Sequence, residues 1–412
     1  MKVAVVGSGI AGMVSAYHLA AEHEVTLYEA EARLGGHTDT HAICVDDRTT
    51  AVDSGFIVCN DVNYPNLLSW FEELGVSTQP SDMSFGVRCL STGLEYGTTG
   101  INALFAQRRN LMTPSFWRML KDLRRFYNHA HTQRNVDASV TLGDYLADHG
   151  YATEFAERHL IPMCSAIWSQ PRGATLKMPI RYVVQFMEHH LLLQFTNRPI
   201  WRVVSGGSSQ YVQAFEKQFR GRVRKSTPVT GVVREGGSVW IQTRDDRLAF
   251  DAVFMACHGD QALALLDKPS AAEQDVLGSF KFQDNRVVVH SDAAVMPENP
   301  RAWSSWNALV GSDERSCQVT YWMNRLQGFD GDNFFVTLNP THEVNSLWLE
   351  RHYTHPIIDE AALLSQSRLG EINGAAQVFY CGAYWGWGFH EDGVVSALKA
   401  LEQFNVKLAR AA

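Results

Sequence analysis

Six residues near the start of the chain, Gly7-Ser8-Gly9-Ile10-Ala11-Gly12, and an acid at Glu29 have the types and spacing to hold a dinucleotide. Gly7 allows a tight turn, Gly9 lets a pyrophosphate approach the backbone, and Gly12 lets a helix pack close to the sheet. The N-terminus of that helix offers free N–H groups and a positive end to the phosphates, with Ile10 and Ala11 beside them as cofactor contacts. Glu29 is placed to accept hydrogen bonds from the adenosine ribose. A second glycine pair follows in Ala30-Glu31-Ala32-Arg33-Leu34-Gly35-Gly36-His37. It lets the chain pass under the pyrophosphate again, and Arg33 can help neutralise it. An NAD site has no need of this second approach, so the expected cofactor is FAD, bound non-covalently. The contacts run over Glu29, Ala30, Arg33, Gly35, Gly36 and His37. The alternative is an ordinary Gly-Gly loop.

With a flavin in place, the protein must orient a substrate, exclude water and tune the ring. The stretch best suited to this is Tyr384-Trp385-Gly386-Trp387-Gly388-Phe389-His390. Aromatics interrupted by glycines suit a wall whose backbone passes close to a flat ring; an aromatic core cluster is the alternative. Tyr384, Trp385, Trp387 and His390 are the candidates for chemistry. His390 is the best single acid–base group, weighed against a structural histidine bonded to backbone. Asp53-Ser54-Gly55-Phe56 is a second candidate, in which Asp53 either serves the flavin or caps a turn. His189 and His190 are adjacent on a helix and point apart. No third ligand stands at metal spacing, so no metal site is expected.

The elements that position these groups are local. Lys2–Val6 is an apolar run, Met13–Ala20 has a helical pattern, and Val25–Tyr28 is a second apolar run ending at Glu29. Strand, glycine turn, helix, strand and acid make the βαβ dinucleotide unit. E-x-x-x-R-x-G-G after this unit resembles the opening of the flavin amine oxidase and phytoene desaturase superfamily. Val229–Val233, the Gly236-Gly237 turn and Phe250–Ala256 resemble the strands that return to its FAD domain. Val378–Tyr384 and Glu391–Ala397 resemble its last strand and helix, whose N-terminus faces the flavin. The resemblance implies cofactor contacts at Asp53, Ser54, Gly55, Phe56, Val229, Ala256, Gly382, Ala383, Gly393 and Val394, and places the 384–393 segment against the isoalloxazine. Ala383 departs from the pattern, since many relatives carry an acid there for a ribityl hydroxyl. Amine oxidases also place a lysine near flavin N5; the comparable stretch, Lys281–Arg286, offers Lys281 and Arg286 without a convincing match.

A narrower resemblance rests on Ile167-Trp168-Ser169, His189–Leu192, Trp201–Ser208, Tyr321–Asn324 and Thr337–Pro340. These are similar to bacterial flavoproteins encoded beside cyclopropane fatty acid synthases, and to the N-terminal half of plant cyclopropane synthases. The resemblance implies an oxidase- or desaturase-type enzyme taking a hydride from a fatty-acyl or other hydrophobic substrate. A flavin amine oxidase is the runner-up. A redox-silent FAD-bound partner of a cyclopropane-synthase-like methyltransferase is a rival of another class.

The expected fold is α/β. A discontinuous Rossmann-type FAD-binding domain spans 1–59, 202–275 and 372–412, and an α+β substrate domain on an antiparallel sheet spans 60–201 and 276–371. The first interval of the second domain reads mostly helical, as at Pro65–Leu74 and Ser115–Tyr127. The second reads as strands at Arg286–His290, Gln318–Met323 and Phe334–Leu338. A substrate tunnel is expected at the junction.

Composition bounds the rest. The 412 residues carry a net charge of −8, which argues against nucleic acid as a partner. The seven cysteines are scattered without a CxxC pair, as in a reducing compartment. No apolar run reaches a membrane span. The chain begins directly on a strand, so no leader is expected, and the expected location is cytoplasmic. Phe116–Tyr127 is a basic amphipathic stretch, flanked by Arg108, Arg109 and Arg134. It reads as a packed helix with a solvated basic face or, less favoured, as a peripheral contact for phospholipid headgroups at the inner membrane face.

Overall fold

A computed structural model describes residues 1–168, 170–194, 196, 198–312 and 317–406. Ser169 of the Ile167–Ser169 motif, and residues 407–412 of the last FAD segment, lie outside the described residues.

Five parallel strands form the first sheet, in the order 222–224, 24–28, 2–6, 252–255, 378–380. Lys2-Val3-Ala4-Val5-Val6 is central and buried over its last four residues, the pattern of a parallel strand covered on both faces. Helices Ile10–Leu19 and His390–Gln403 pack together on one face. A three-stranded antiparallel sheet, 229–235, 238–243 and 247–250, covers the other. Its tight turn uses Gly236 and Gly237 at φ 62° and 78°, the paired positive values that a two-residue hairpin demands.

The second sheet has seven strands, in the order 347–357, 281–290, 335–338, 317–322, 306–310, 85–89, 94–97. The three strands read from the sequence are present, and their pairings with one another are antiparallel. Two differences stand out. Phe85–Cys89 and Leu94–Gly97 come from the interval that reads as mostly helical, and Phe85–Cys89 pairs parallel with Trp306–Val310. Helix Pro65–Leu74, assigned from sequence to the substrate domain, buries Leu67, Trp70, Phe71 and Leu74 in the same core as the first and last helices. Its N-terminus is held by Glu391, whose carboxylate accepts from the Asn66 and Leu67 N–H groups at 3.1 and 2.9 Å. An acid at a helix start satisfies otherwise unpaired donors.

Candidate active site

The glycine turn has the geometry its spacing implies. Gly7 has φ +99°, and a Cβ there would stand 2.8 Å from the Ala256 carbonyl oxygen. A Cβ on Gly12 would fall 1.9 Å from the Gly7 carbonyl oxygen, so the helix lies directly on the turn. A Cβ on Gly9 would meet nothing within 4 Å: this residue faces open space at a helix N-terminus with no side-chain cap. Gly36, at φ +56°, lies against it, with its Cβ position 3.1 Å from the Gly9 Cα. The two glycine segments therefore close on each other. Glu29 sits beside them. Its Oε2 accepts from the Ser8 N–H at 2.9 Å and the Ser8 hydroxyl at 2.5 Å, and its Oε1 from the Glu31 N–H at 2.9 Å.

This cleft is one end of a cavity of about 1290 Å³ that continues between the two sheets. That exceeds the usual range for a small-ligand pocket and leaves room for a dinucleotide with a second molecule. The wall includes Gly7, Gly9, Ile10, Ala11, Glu29, Ala30, Arg33, Gly35, Gly36, His37, Ser54, Gly55, Phe56, Val229, Ala256, Gly382, Ala383, Tyr384, Trp387 and His390. The open face of Gly9, the uncapped helix start and the Glu29 carboxylate fit a dinucleotide.

Residues 10–284 match the family described as flavin containing amine oxidoreductase. The chain belongs to this family. It is an FAD-dependent oxidoreductase, and its cofactor is FAD. No curated protein matches it in sequence. Among solved structures it is similar to a CLA-producing fatty acid isomerase from P. acnes, at 14% identity and TM-score 0.68, with 98% of each chain covered. It is also similar to cyclohexylamine oxidase from Brevibacterium oxydans IH-35A, at 13% identity and TM-score 0.71, covering 98% of this chain and 99% of that one. Putrescine oxidase, at 13% identity and TM-score 0.69, covers 99% of this chain and is itself covered completely, at 100%. At such identities the likeness is one of fold.

Several residues of this flavin oxidoreductase stand elsewhere than the sequence suggests. Asp53 is fully buried and does not line the cavity. Its carboxylate accepts from the Thr40 hydroxyl at 2.5 Å, the Ser208 N–H at 2.9 Å and the Gln327 side-chain amide at 2.8 Å. Burial pushes it up to about 6 despite these bonds. It ties three distant segments together, which corrects its candidacy for catalysis and cofactor contact. Trp385 also lies off the cavity, packed on Phe280 at 4.9 Å. Gly12, Gly393 and Val394 do not line the wall; Gly393 lets the last helix approach Ile10, whose Cγ2 would be 2.7 Å from a Cβ. The Arg33 guanidinium donates to the Gly36 and Thr38 carbonyls, both at 2.9 Å, and so clamps the loop.

His390 does line the cavity. Its ring stacks on Phe56 at 3.7 Å between centroids. Its Nε2 lies 3.1 Å from the Thr38 hydroxyl and 3.3 Å from the Tyr211 hydroxyl, which bond each other. Burial, helped by nearby His37, lowers it to about 3, so the ring is neutral and a weak base. Asp392 is pushed up to about 7 by burial and accepts from the Phe389 N–H at 2.9 Å.

The sequence reading missed much of the wall. His258 and His355 stand near His37, whose ring is 5.8 and 5.3 Å from theirs. His37 bonds the Thr354 carbonyl oxygen at 3.0 Å, and His258 stacks on Phe282 at 4.3 Å. Burial lowers both His258 and His355 to about 3. His258 follows the carboxyl end of the parallel strand 252–255, where ligands of such sheets bind; that position was the available signal.

Proposed function

We propose that this enzyme takes a hydride from a hydrophobic, fatty-acyl substrate, as part of modified fatty acid metabolism. The observation that supports this reading is the wall beyond the cofactor end. It is built from Phe85, Met163, Ile167, Trp168, Phe186, Leu192, Trp306, Leu338, Trp387 and Phe389. Among the described lining residues the only carboxylates are Glu29 and Glu31, at the ribose end, and no lysine is present. An amine substrate is a cation, and burying it without a negative partner is costly. Lys281 is exposed and reaches Asp359, and Arg286 pairs with Glu350. Neither lines the cavity, so neither takes the place of the amine oxidase lysine.

FAD, when bound, accepts the hydride. The chain supplies the setting. The aromatic wall excludes water and holds an extended apolar chain in contact with the cofactor end. His390 is fixed against Phe56 and bonded through Nε2 to Thr38 and Tyr211, so it positions the wall. The second hydrogen leaves as a proton; His258, His355 and His390, each lowered to about 3 by burial, are weak bases, so water is its acceptor. The test is anaerobic mixing of the purified yellow protein with fatty acids and acyl phospholipids, or with amines. Loss of flavin absorbance with the acyl compounds alone supports the reading. Loss with amines alone returns the protein to amine oxidation. Loss with neither points to a redox-silent partner of a lipid methyltransferase.

A further inference from the structure

The surface leading into helix Pro114–His129 exposes large apolar side chains. Met112 is 89% exposed and Ile101 78%, with Leu111 and Trp117 about half exposed. They belong to one patch. The Trp117 indole N–H donates to the Leu111 carbonyl at 2.9 Å, and its ring lies 5.8 Å from that of Phe105. Arg108 donates to the Phe105 carbonyl at 2.8 Å and to the side chain of Asn102, next to Ile101, at 3.1 Å. A grouped exposed apolar patch marks a site of interaction.

Charge says with what. Arg108 reaches only carbonyl and amide oxygens, and Arg109 donates to the Gly93 carbonyl at 2.7 Å. Lys121 and Arg124 are exposed on the following helix. None of these four forms an ion pair with a carboxylate among the described residues. Arg118, by contrast, pairs with Glu154, and Arg125 with Asp122 at 3.3 Å. The unpaired positive charge therefore sits beside the apolar patch, in a chain whose net charge is −8. Thr98, three residues before Ile101, lines the large cavity. We infer that this patch docks the protein on an anionic phospholipid surface. Ile101, Leu111, Met112 and Trp117 enter the headgroup boundary, and Arg108 and Arg109 meet lipid phosphates. The inference does not depend on what the flavin oxidises.

The test is flotation of the FAD-loaded protein with vesicles of phosphatidylcholine, alone or mixed with phosphatidylglycerol. Binding is expected on the mixed vesicles at low salt and is expected to weaken at high salt. R108Q/R109Q should weaken it about 25-fold, at about fivefold per charge. I101S/M112S should weaken it at every salt concentration. FAD content and melting temperature report that both variants fold. Absence of binding by the native protein to anionic vesicles at low salt overturns the inference, as does binding that neither variant weakens. So does a dimer in sedimentation equilibrium that I101S/M112S dissociates, which would make the patch an interface between copies. Flavin bleaching is scored separately, so failure of the docking and failure of the acyl reading are distinguishable.

Discussion

Replacing Glu29 by alanine separates what its carboxylate does for the cofactor from what it does for the turn. An ionised carboxylate offers about four lone-pair positions. The Ser8 N–H, the Ser8 hydroxyl and the Glu31 N–H occupy three of them, at 2.9, 2.5 and 2.9 Å. Roughly one position is left for a ribose hydroxyl. One charge-assisted bond of about 1.5–3 kcal/mol corresponds to a loss of roughly 10–150-fold in FAD affinity. The turn loses its three bonds as well. Ser8 is fully buried, so its N–H and hydroxyl are left without a partner unless water enters the emptied space, and the apoprotein should lose about 1–3 kcal/mol. The assay strips FAD, titrates it back by quenching of flavin fluorescence, and follows urea unfolding of the apoprotein. Ser8→Ala is the informative companion. It removes one donor and returns a lone pair to the ribose, so FAD affinity should hold or rise. A Glu29→Ala affinity within about threefold of the native value refutes the assignment. So does a Ser8→Ala variant weakened as much as Glu29→Ala.

Three further outcomes are expected. Heat or acid should release all the FAD, because the cavity's cysteine, Cys257, is a thiol pushed up to about 12 by burial; colour retained in the precipitate contradicts this. His390→Ala should keep FAD and slow flavin reduction by no more than about tenfold, since burial leaves its ring a weak base, whereas a loss of roughly a hundredfold restores it as the acid–base group. Stability should fall as pH drops below about 6.5. Buried His159, His190 and His290 are lowered to about 4, so the native state binds fewer protons than the unfolded state between about 4 and 6.5, and each histidine costs about 1.4 kcal/mol per pH unit there. Asp53 and Asp392, raised to about 6 and about 7, act in the opposite sense as pH falls through those values, but the histidines, joined by His258, His355 and His390, outnumber them. A melting temperature flat from pH 7 to 4.5 contradicts this balance.

What the sequence made legible is what is local. The first strand, the glycine turn, the helix and Glu29 lie within one βαβ unit, and each residue type answers a steric need inside it. What it hid depends on partners far along the chain. Phe85–Cys89 became a strand by pairing with Trp306–Val310, and no feature of its own stretch announces that partner. Asp53 ends the strand 48–53, just before the expected loop, and Thr40, Ser208 and Gln327 draw its carboxylate away from the cavity.

The Lys281–Arg286 stretch shows the same principle at the site itself. Amine oxidases place a lysine near the flavin at the comparable stretch; the two cations present here give no convincing match in sequence, and both turn outward to Asp359 and Glu350. Of this stretch, Phe282 lines the cavity, and a polar residue that supports a wall side chain is Asn285. It is 1% exposed, and its side-chain N–H donates to His355 Nδ1 at 2.8 Å. Asn339 donates in turn to the Asn285 oxygen at 2.7 Å, which fixes the orientation of the amide. With Nδ1 accepting, the proton of neutral His355 resides on Nε2. A buried amide holding a neutral imidazole thus contributes to the wall from the stretch comparable to the one where amine oxidases carry a lysine. That exchange of a charge for an uncharged donor agrees with a cavity that, among the described lining residues, has no lysine and no carboxylate away from the ribose end.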